Sequence, residues 1–307
     1  MRPFRFSVTV TSASSAEEWR AIARKAEDQG FDVLVTPDHL ADLYSPLLPL
    51  VTAAEATTRL RVGTLVLNND FRHPALVARE AATLAHLTGG RFELGVGAGH
   101  AAPEYASIGL TFDPPSTRVA RLAESVAIIR RLLAGETVDF TGEHYRIAGH
   151  RAFPIPAEAV PILVGGNGRA LLRLAAREAD IVGFTGLGKT LADGIHHDPS
   201  GFRLNQVREQ VALVRQAAGA RFSELELNCL VQQVTITDNR RAAADALAAA
   251  IPPLTAADAL STPFALLGTP RQIADDLLAR RDDLGLSYIS VFAHTMDAMA
   301  KAIPFLK

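Results

Sequence analysis

The sequence predicts an α/β protein built as a (β/α)8, or TIM, barrel with insertions in its βα loops. Short β-branched runs alternate with Ala-, Leu- and Arg-rich stretches along the whole 307-residue chain. Strand-plus-helix units number about eight, at roughly 38 residues each, which is the count and length a closed barrel needs. No linker interrupts the rhythm, so residues 1–307 read as a single domain. A doubly wound open sheet shows the same alternation, but eight uninterrupted units favour closure.

Residues 4–10 (FRFSVTV) alternate with period two and form the first strand. Ser14 and Ser15 offer N-caps, Glu17 and Glu18 suit the first turn, and the helix they open stops at Gly30. Residues 31–36 and 60–67 are the next strands. Pro74 opens a helix that Gly89 and Gly90 end, and 91–97 (RFELGVG) is the fourth strand. An amphipathic helix over 118–134 precedes a hairpin-like segment at 138–147. The second half gives a strand at 161–164, a helix at 168–177, a strand at 179–184, a helix at 202–217, one strand over 225–236 and a helix at 239–250. FALLG (264–268), a helix over 270–285 and LSYISVFA (286–293) close the series. Irregular stretches at 186–201 and 252–263 follow strands, where a barrel carries its active-site loops.

Composition narrows the function classes. With 31 Lys+Arg against 33 Asp+Glu, the net charge of −2 argues against a nucleic-acid binder. Apolar residues at 48% and charged residues at 21% describe a folded globular chain. Cys229 is the only cysteine, which excludes an internal disulfide and a Cys-rich zinc site. No apolar run reaches the ~18 residues needed to span a bilayer, and the N-terminus lacks a signal peptide's apolar stretch. A cytoplasmic protein is the expectation.

Several segments carry candidate chemistry. GVGAGH (95–100) fails the dinucleotide pattern, because His100 takes the third glycine's place and Pro103 breaks an immediate helix. Gly97 and Gly99 still mark a strand end that a flat ligand approaches closely. GFTGLGKT (183–190) fits G-x-x-x-x-G-K-S/T, yet Gly194, Pro199 and Gly201 leave no room for the long helix a P-loop opens. Lys189 reads instead as a contact for an anionic tail. In PILVGGNG a buried strand ends in Gly165, Gly166, Asn167 and Gly168 and a helix starts at once, so free N–H groups suit a phosphate. TPDHL sets Thr36, Asp38 and His39 at the barrel mouth, where His is the side chain able to move a proton near neutral pH. Asn68, Asn69, Asp70 and Arg72 follow the third strand at the same face, while His73, just before a helix, reads as structural. The His196, His197, Asp198 cluster lacks metal-ligand spacing, HEXXH and G-x-S-x-G are absent, and no metal site is expected. These residues point to a phosphate-bearing cofactor or substrate and leave the reaction class open.

Taken together, GFDVLVTPDHL, LRVGTLVLNNDFRHPALVAREAATLAHLTGGRFELGVGAGHAAPEY, PILVGGNG and GTPRQIADDL resemble the bacterial luciferase-like family, most closely its deazaflavin (coenzyme F420)-dependent oxidoreductase branch. The resemblance implies a barrel holding coenzyme F420, or alternatively FMN, at the strands' C-terminal ends. It implies a non-proline cis peptide in the third strand behind the ring, which falls here at Leu65–Val66. Asp38 and His39 match the pair near the ring, the stretch from Gly97 to His100 the fourth strand's end, and Gly165 to Gly168 the cofactor-phosphate loop. Glu104 is similar to an acid near the ring in some relatives. The implied activity is hydride transfer between cofactor and a small organic substrate, with His39 handling the proton. An FMN-dependent monooxygenase served by a separate reductase is the alternative, and a non-catalytic flavin-binding protein a distant one. In the sugar-phosphate branch an aromatic residue follows the His; here Leu43 stands in that place with Tyr44 beside it, which argues against glucose 6-phosphate. Arg72, Arg151, Arg169 and Lys189 are candidates for a basic entrance to the site. Apolar faces on the helices at 75–87 and 118–133, and the habit of relatives, lead us to expect a homodimer.

Overall fold

Runs of inward- and outward-facing apolar residues can bury both faces of a parallel strand only inside a jacket of helices. In the computed structural model this arrangement closes into a ring; the structure describes residues 2–188, 191 and 197–307. The strands are β1 (Arg5–Thr9), β2 (Val33–Thr36), β3 (Arg61–Thr64), β4 (Leu67–Asn68), β5 (Phe92–Gly97), β6 (Val138–Thr141), β7 (Arg146–His150), β8 (Ile162–Gly165), β9 (Ile181–Phe184), β10 (Glu226–Leu230), β11 (Gln233–Ile236), β12 (Ala265–Gly268) and β13 (Leu286–Phe292). Parallel pairing runs β1-β2-β3-β5-β8-β9-β10-β13 and returns to β1, with β4 continuing β3 beside β5. This is the expected (β/α)8 barrel.

The helices are α1 (Ala16–Asp28), α2 (Leu48–Glu55), α3 (Pro74–Leu87), α4 (Ala102–Ser107), α5 (Pro115–Leu133), α6 (Arg169–Glu178), α7 (Leu204–Ala218), α8 (Arg240–Ala250), α9 (Ala256–Ser261), α10 (Pro270–Leu284) and α11 (Met296–Ala300). Their boundaries follow local chemistry. The Ser15 hydroxyl accepts the Glu18 N–H at 3.1 Å and caps α1, a contact worth about 1 kcal/mol. The same helix buries Trp19, Ala23 and Ala26 against the barrel. Thr269 and Gln272 form a capping box behind Pro270, and α10 ends where Gly285 takes a φ of 79°.

Several expectations are corrected. The stretch 60–67 is not one strand: the Leu65–Val66 peptide is cis and separates β3 from β4. Residues 225–236 divide into β10, in the barrel, and β11, outside it. FALLG becomes β12, which pairs with β11 and takes no place in the ring. Pro103 does not break a helix but sits in the first turn of α4, where its missing N–H costs nothing. The stretch 252–263 holds α9 rather than an irregular loop. Not every insertion lies in a βα loop: the β6–β7 hairpin follows α5 in the connection that leads into β8. Its turn is held by Glu124 of α5, whose carboxylate accepts the N–H groups of Glu143, His144 and Tyr145 at 2.7–3.0 Å.

The floor of the barrel is charged. Arg5 of β1 pairs with Glu93 of β5 and, at 2.7 Å, with Glu226 of β10, while Arg61 of β3 meets Glu93 at 2.6 Å. The Arg5 guanidinium also lies 4.6 Å from the Tyr288 ring centroid. Four strands are thereby tied together through side chains as well as ladders. Above this layer Ser7 and Ser290 share a 2.6 Å hydrogen bond, and Val33, Val35, Leu163 and Ile181 pack with Leu65 and Val66.

Arg5→Met should destabilise the fold by about 3 kcal/mol in urea unfolding, because the largely buried Glu226 carboxylate loses its paired cation and Glu93 is left with Arg61 alone. Burial raises the Glu226 carboxyl above its usual range, with Arg5 opposing and Glu93 adding to the rise. Without Arg5 the folded form takes up a proton more readily than the unfolded chain. The deficit should therefore shrink as pH is lowered from about 8 to about 5. An equal deficit at both pH values would show that the charges are not its origin.

Candidate active site

The mouth is assembled from the ends of β2, β4, β5 and β8, which the ring brings together whatever their separation in sequence. After β2, the Thr36 hydroxyl donates to the Pro46 carbonyl at 2.6 Å and fixes the outgoing loop. Asp38 is 5% exposed. Its carboxylate accepts the Asn68 N–H at 2.9 Å and pairs with the guanidinium of Arg72, Nη2 lying 3.2 Å from Oδ1. These contacts tie Asp38 to the β4 end.

His39 faces the opening and is partly exposed. Its Nδ1 lies 2.6 Å from Oε1 of Glu104, on α4. A carboxylate at that distance favours the tautomer with the proton on Nδ1 and leaves Nε2 to exchange a proton with a ligand. His100 completes the group: its ring meets the His39 ring edge-on at 5.2 Å and lies 5.3 Å from the ring of His197. Burial of the ring against the walls, then the neighbouring His39 and His197, push His100 down to about 4, although the residue still reaches solvent. It is neutral at physiological pH.

Beside these groups lies a surface shaped by glycines. A Cβ on Gly97 would stand 2.7 Å from Cγ2 of Val66, and one on Gly95 or Gly165 would stand 3.2 Å from Cγ1. Val66 therefore fills the space that side chains on Gly97 and Gly165 would otherwise take, whereas at Gly95 the Thr64 carbonyl oxygen stands nearest. Gly99, at φ 71°, packs on Asn68 and on the Tyr105 hydroxyl. On the β8 side, Gly166 has φ 149° and a Cβ on Gly168 would meet nothing within 4 Å. No side chain caps α6 and no acid occupies its first turn, so its leading N–H groups point into open space. Asn167 is partly committed: its Nδ2 donates to Thr185 Oγ1 at 2.7 Å, which braces the loop against the end of β9. This cradle suits a ring with a phosphate-bearing side chain.

The structure brings together Asp38, His39, Asn68, Gly97, Gly99, His100, Glu104 and the Val66 bulge. Lys189 lies outside the described residues. Arg72 is spent on Asp38, and Arg151 follows β7 in the connection to the strands' N-terminal ends, away from the mouth. Arg169 opens α6 and is exposed beside the phosphate cradle. Sequence reasoning missed Tyr105, whose hydroxyl stands 3.0 Å from both Asn68 Oδ1 and Asp70 Oδ2. Only the spatial meeting of β4 and α4 shows it. A cleft of about 410 Å³ shares Arg72 and Tyr105 with this network on its outer side. Among the described residues, no group of three or more His, Cys, Asp or Glu is placed to hold a metal ion.

Comparisons with known proteins agree with this geometry. The luciferase-like monooxygenase family profile matches residues 1–255. An F420-dependent glucose-6-phosphate dehydrogenase of Nakamurella multipartita is 36% identical over 253 residues, covering 79% of this chain and 71% of that protein. The coenzyme F420 dependent tetrahydromethanopterin reductase of Methanopyrus kandleri superposes with a TM-score of 0.78 at 17% identity over 100% of both chains. An F420-dependent secondary alcohol dehydrogenase in complex with an F420–acetone adduct gives 0.77 at 18% identity, again over 100% of both. At these identities the two structures establish the fold.

The histidine cluster makes a direct prediction. In a ¹⁵N-edited NMR titration His100 should remain neutral at about pH 6 and protonate near 4, below the ordinary 6.5. A midpoint at the ordinary value would mean that the three rings do not meet as described.

Proposed function

The chain belongs to the luciferase-like monooxygenase family, and from that premise we propose that it is a coenzyme F420 (deazaflavin)-dependent oxidoreductase acting on a small organic substrate. The observation that carries this reading is the conjunction, at one barrel mouth, of an uncapped helix start and a His–Glu pair. When bound, the deazaflavin supplies a hydride donor and acceptor that no side chain offers. The N–H groups at the start of α6, with Gly165, Gly166, Asn167 and Gly168, would hold its phosphate. Leu65, Val66, Gly97 and Gly99 would support the ring, with Thr36 and Asn68 fixing the strand ends around it. His39 would move the proton at Nε2, steadied by Glu104 through Nδ1, while Asp38 keeps the β4 end in register.

The substrate side departs from a sugar-phosphate site. Tyr44 does not replace the expected aromatic: its hydroxyl donates to the Ala13 carbonyl at 2.5 Å and its ring lies 5.6 Å from that of Trp19. Leu43 thus leaves the position aliphatic, which favours an uncharged organic substrate. We read residues 1–307 as one catalytic unit, since β13, beyond the stretch matched by the family profile, lies between β10 and β1.

Titrating the protein with F420 and with FMN, and following fluorescence quenching, tests the cofactor. Saturable binding of F420 supports the reading; binding of FMN alone moves the protein to a monooxygenase served by a separate reductase; binding of neither overturns it. With a substrate that turns over, His39→Ala should lower kcat by about 10²–10⁴-fold at unchanged cofactor affinity. An unchanged kcat would show that His39 moves no proton in turnover, whereas bound cofactor with no turnover of any substrate would leave a cofactor-binding protein.

We also propose a homodimer. The apolar face of α5 is consumed internally, where Leu122, Val126, Ile129 and Leu132 are buried. On α3, however, Leu76 and Leu87 remain exposed and lie about three helical turns apart on one face. Sedimentation equilibrium should give twice the chain mass, and Leu76→Glu with Leu87→Glu should return it to one chain mass. A monomeric wild-type protein would refute the contact.

A further inference from the structure

α4 has six residues, too few to hold a helical turn in place by its own hydrogen bonds, and no side chain caps its N-terminus. What anchors it is Tyr105, its one buried residue, 0% exposed. The ring packs between Phe71 at 5.2 Å and Phe112 at 4.9 Å, and Arg118 lies 3.9 Å over the Phe112 ring. The hydroxyl reaches Asn68 Oδ1 and Asp70 Oδ2 at 3.0 Å each, and Gly99, which precedes α4, is folded directly over it. Asp70 is itself held by Arg121 at 2.9 Å, with its side chain 3% exposed. Burial and the Asp70 charge hold the phenol well above its ordinary value, so it stays a proton donor.

Phe71 and Phe112 would anchor a phenylalanine equally well. The hydroxyl adds direction, because it fixes the rotation of α4 relative to the β4 end. One residue earlier on the same helix, Glu104 extends to His39. The other end of Asn68 donates to Asp38. A single hydroxyl therefore sits between the segment that carries Glu104 and the segment that organises the His39 loop.

We propose that Tyr105 is a positioning residue whose hydroxyl sets the Glu104 carboxylate against His39 Nδ1. The importance of that contact rests on the reading of His39 as the proton-handling group. The contact itself does not depend on a cofactor, and the test is arranged accordingly.

The full-length protein labelled with ¹⁵N-histidine is observed by proton NMR without cofactor. His39 should show an Nδ1–H resonance shifted downfield by its carboxylate partner, assigned by its loss in His39→Gln and in Glu104→Ala. A buried hydrogen bond of ordinary strength is worth about tenfold in an equilibrium. Tyr105→Phe should thus exchange the Nδ1 proton with water about tenfold faster, while ring packing keeps the thermal melt cooperative. Should Tyr105→Phe not fold, Asp70→Ala removes one acceptor with the ring left in place and should shift exchange in the same direction. An Nδ1–H signal unchanged in Tyr105→Phe but lost in Glu104→Ala overturns the proposal, as does its absence from the wild type. If neither F420 nor FMN binds and the signal responds as expected, the positioning stands and the redox reading falls.

Discussion

The interior of this barrel has a fixed volume, and nearly every feature of the site follows from how that volume is filled. Eight short strands enclose a space that must be packed to the density of a crystal or left to a ligand. At the bottom it is filled by charge, Arg5 held between Glu93 and Glu226. In the middle it is filled by Leu163, Ile181, Tyr288 and the turned-in Val66. Val66 occupies the room left by Gly97 and Gly165, and the Thr64 carbonyl that left by Gly95, so these glycines and the broken third strand form one arrangement. Beyond Val66 come the ends of β2, β4, β5 and β8, next to which His39, His100 and the loop from Gly165 to Gly168 lie.

The charged floor and the charged mouth obey the same rule. Buried ion pairs contribute little net stability, because desolvation offsets their attraction, yet each is costly to break. In the floor this penalises any register in which Arg5 misses its partners. At the mouth, Asp38–Arg72 and Asp70–Arg121 act the same way on segments lacking a long ladder of their own. β4 has two residues and α4 six, and neither would hold its position alone. Fixed carboxylates supply the rigidity that the backbone lacks there, and this allows His39 and Glu104 to meet at hydrogen-bonding distance across 65 residues of sequence.

Sequence legibility followed the range of the interaction. The Ser15 cap, the Thr269–Gln272 box and the glycine after α10 are local, and the elements they bound were readable to within a few residues. The loop from Gly165 to Gly168 was readable as a strand end running directly into a helix, and β8 and α6 stand on its two sides. β12 was not: FALLG has the composition of a barrel strand, and only its pairing with β11 assigns it elsewhere. Pro103 was misread because a proline that stops a helix and one that starts it look alike until the preceding residue's conformation is known. Asp38 illustrates the remaining limit. Its place after the second strand was legible, but its partners, Asn68 and Arg72, are a tertiary fact that no local pattern shows.

The division of labour between strand ends and loops bears on what kind of substrate this scaffold admits. The groups assigned to the cofactor lie at or next to strand ends, where the ladder fixes them. The segments that follow the strand ends carry exposed aliphatic side chains: Leu40 after His39, Ile108 and Leu110 after α4, and Leu191 after β9. The arginines of the β4–α5 region are paired, Arg72 with Asp38 and Arg121 with Asp70 and Asp113. A phosphorylated substrate approaching from that side would have to compete with fixed carboxylates for each guanidinium. An uncharged molecule faces no such competition, loses little hydration on entering, and meets aliphatic surface before it reaches the histidines. Under the proposed function, the exposed aliphatic side chains of these segments, more than the glycines at the strand ends, would decide which substrates reach the cofactor.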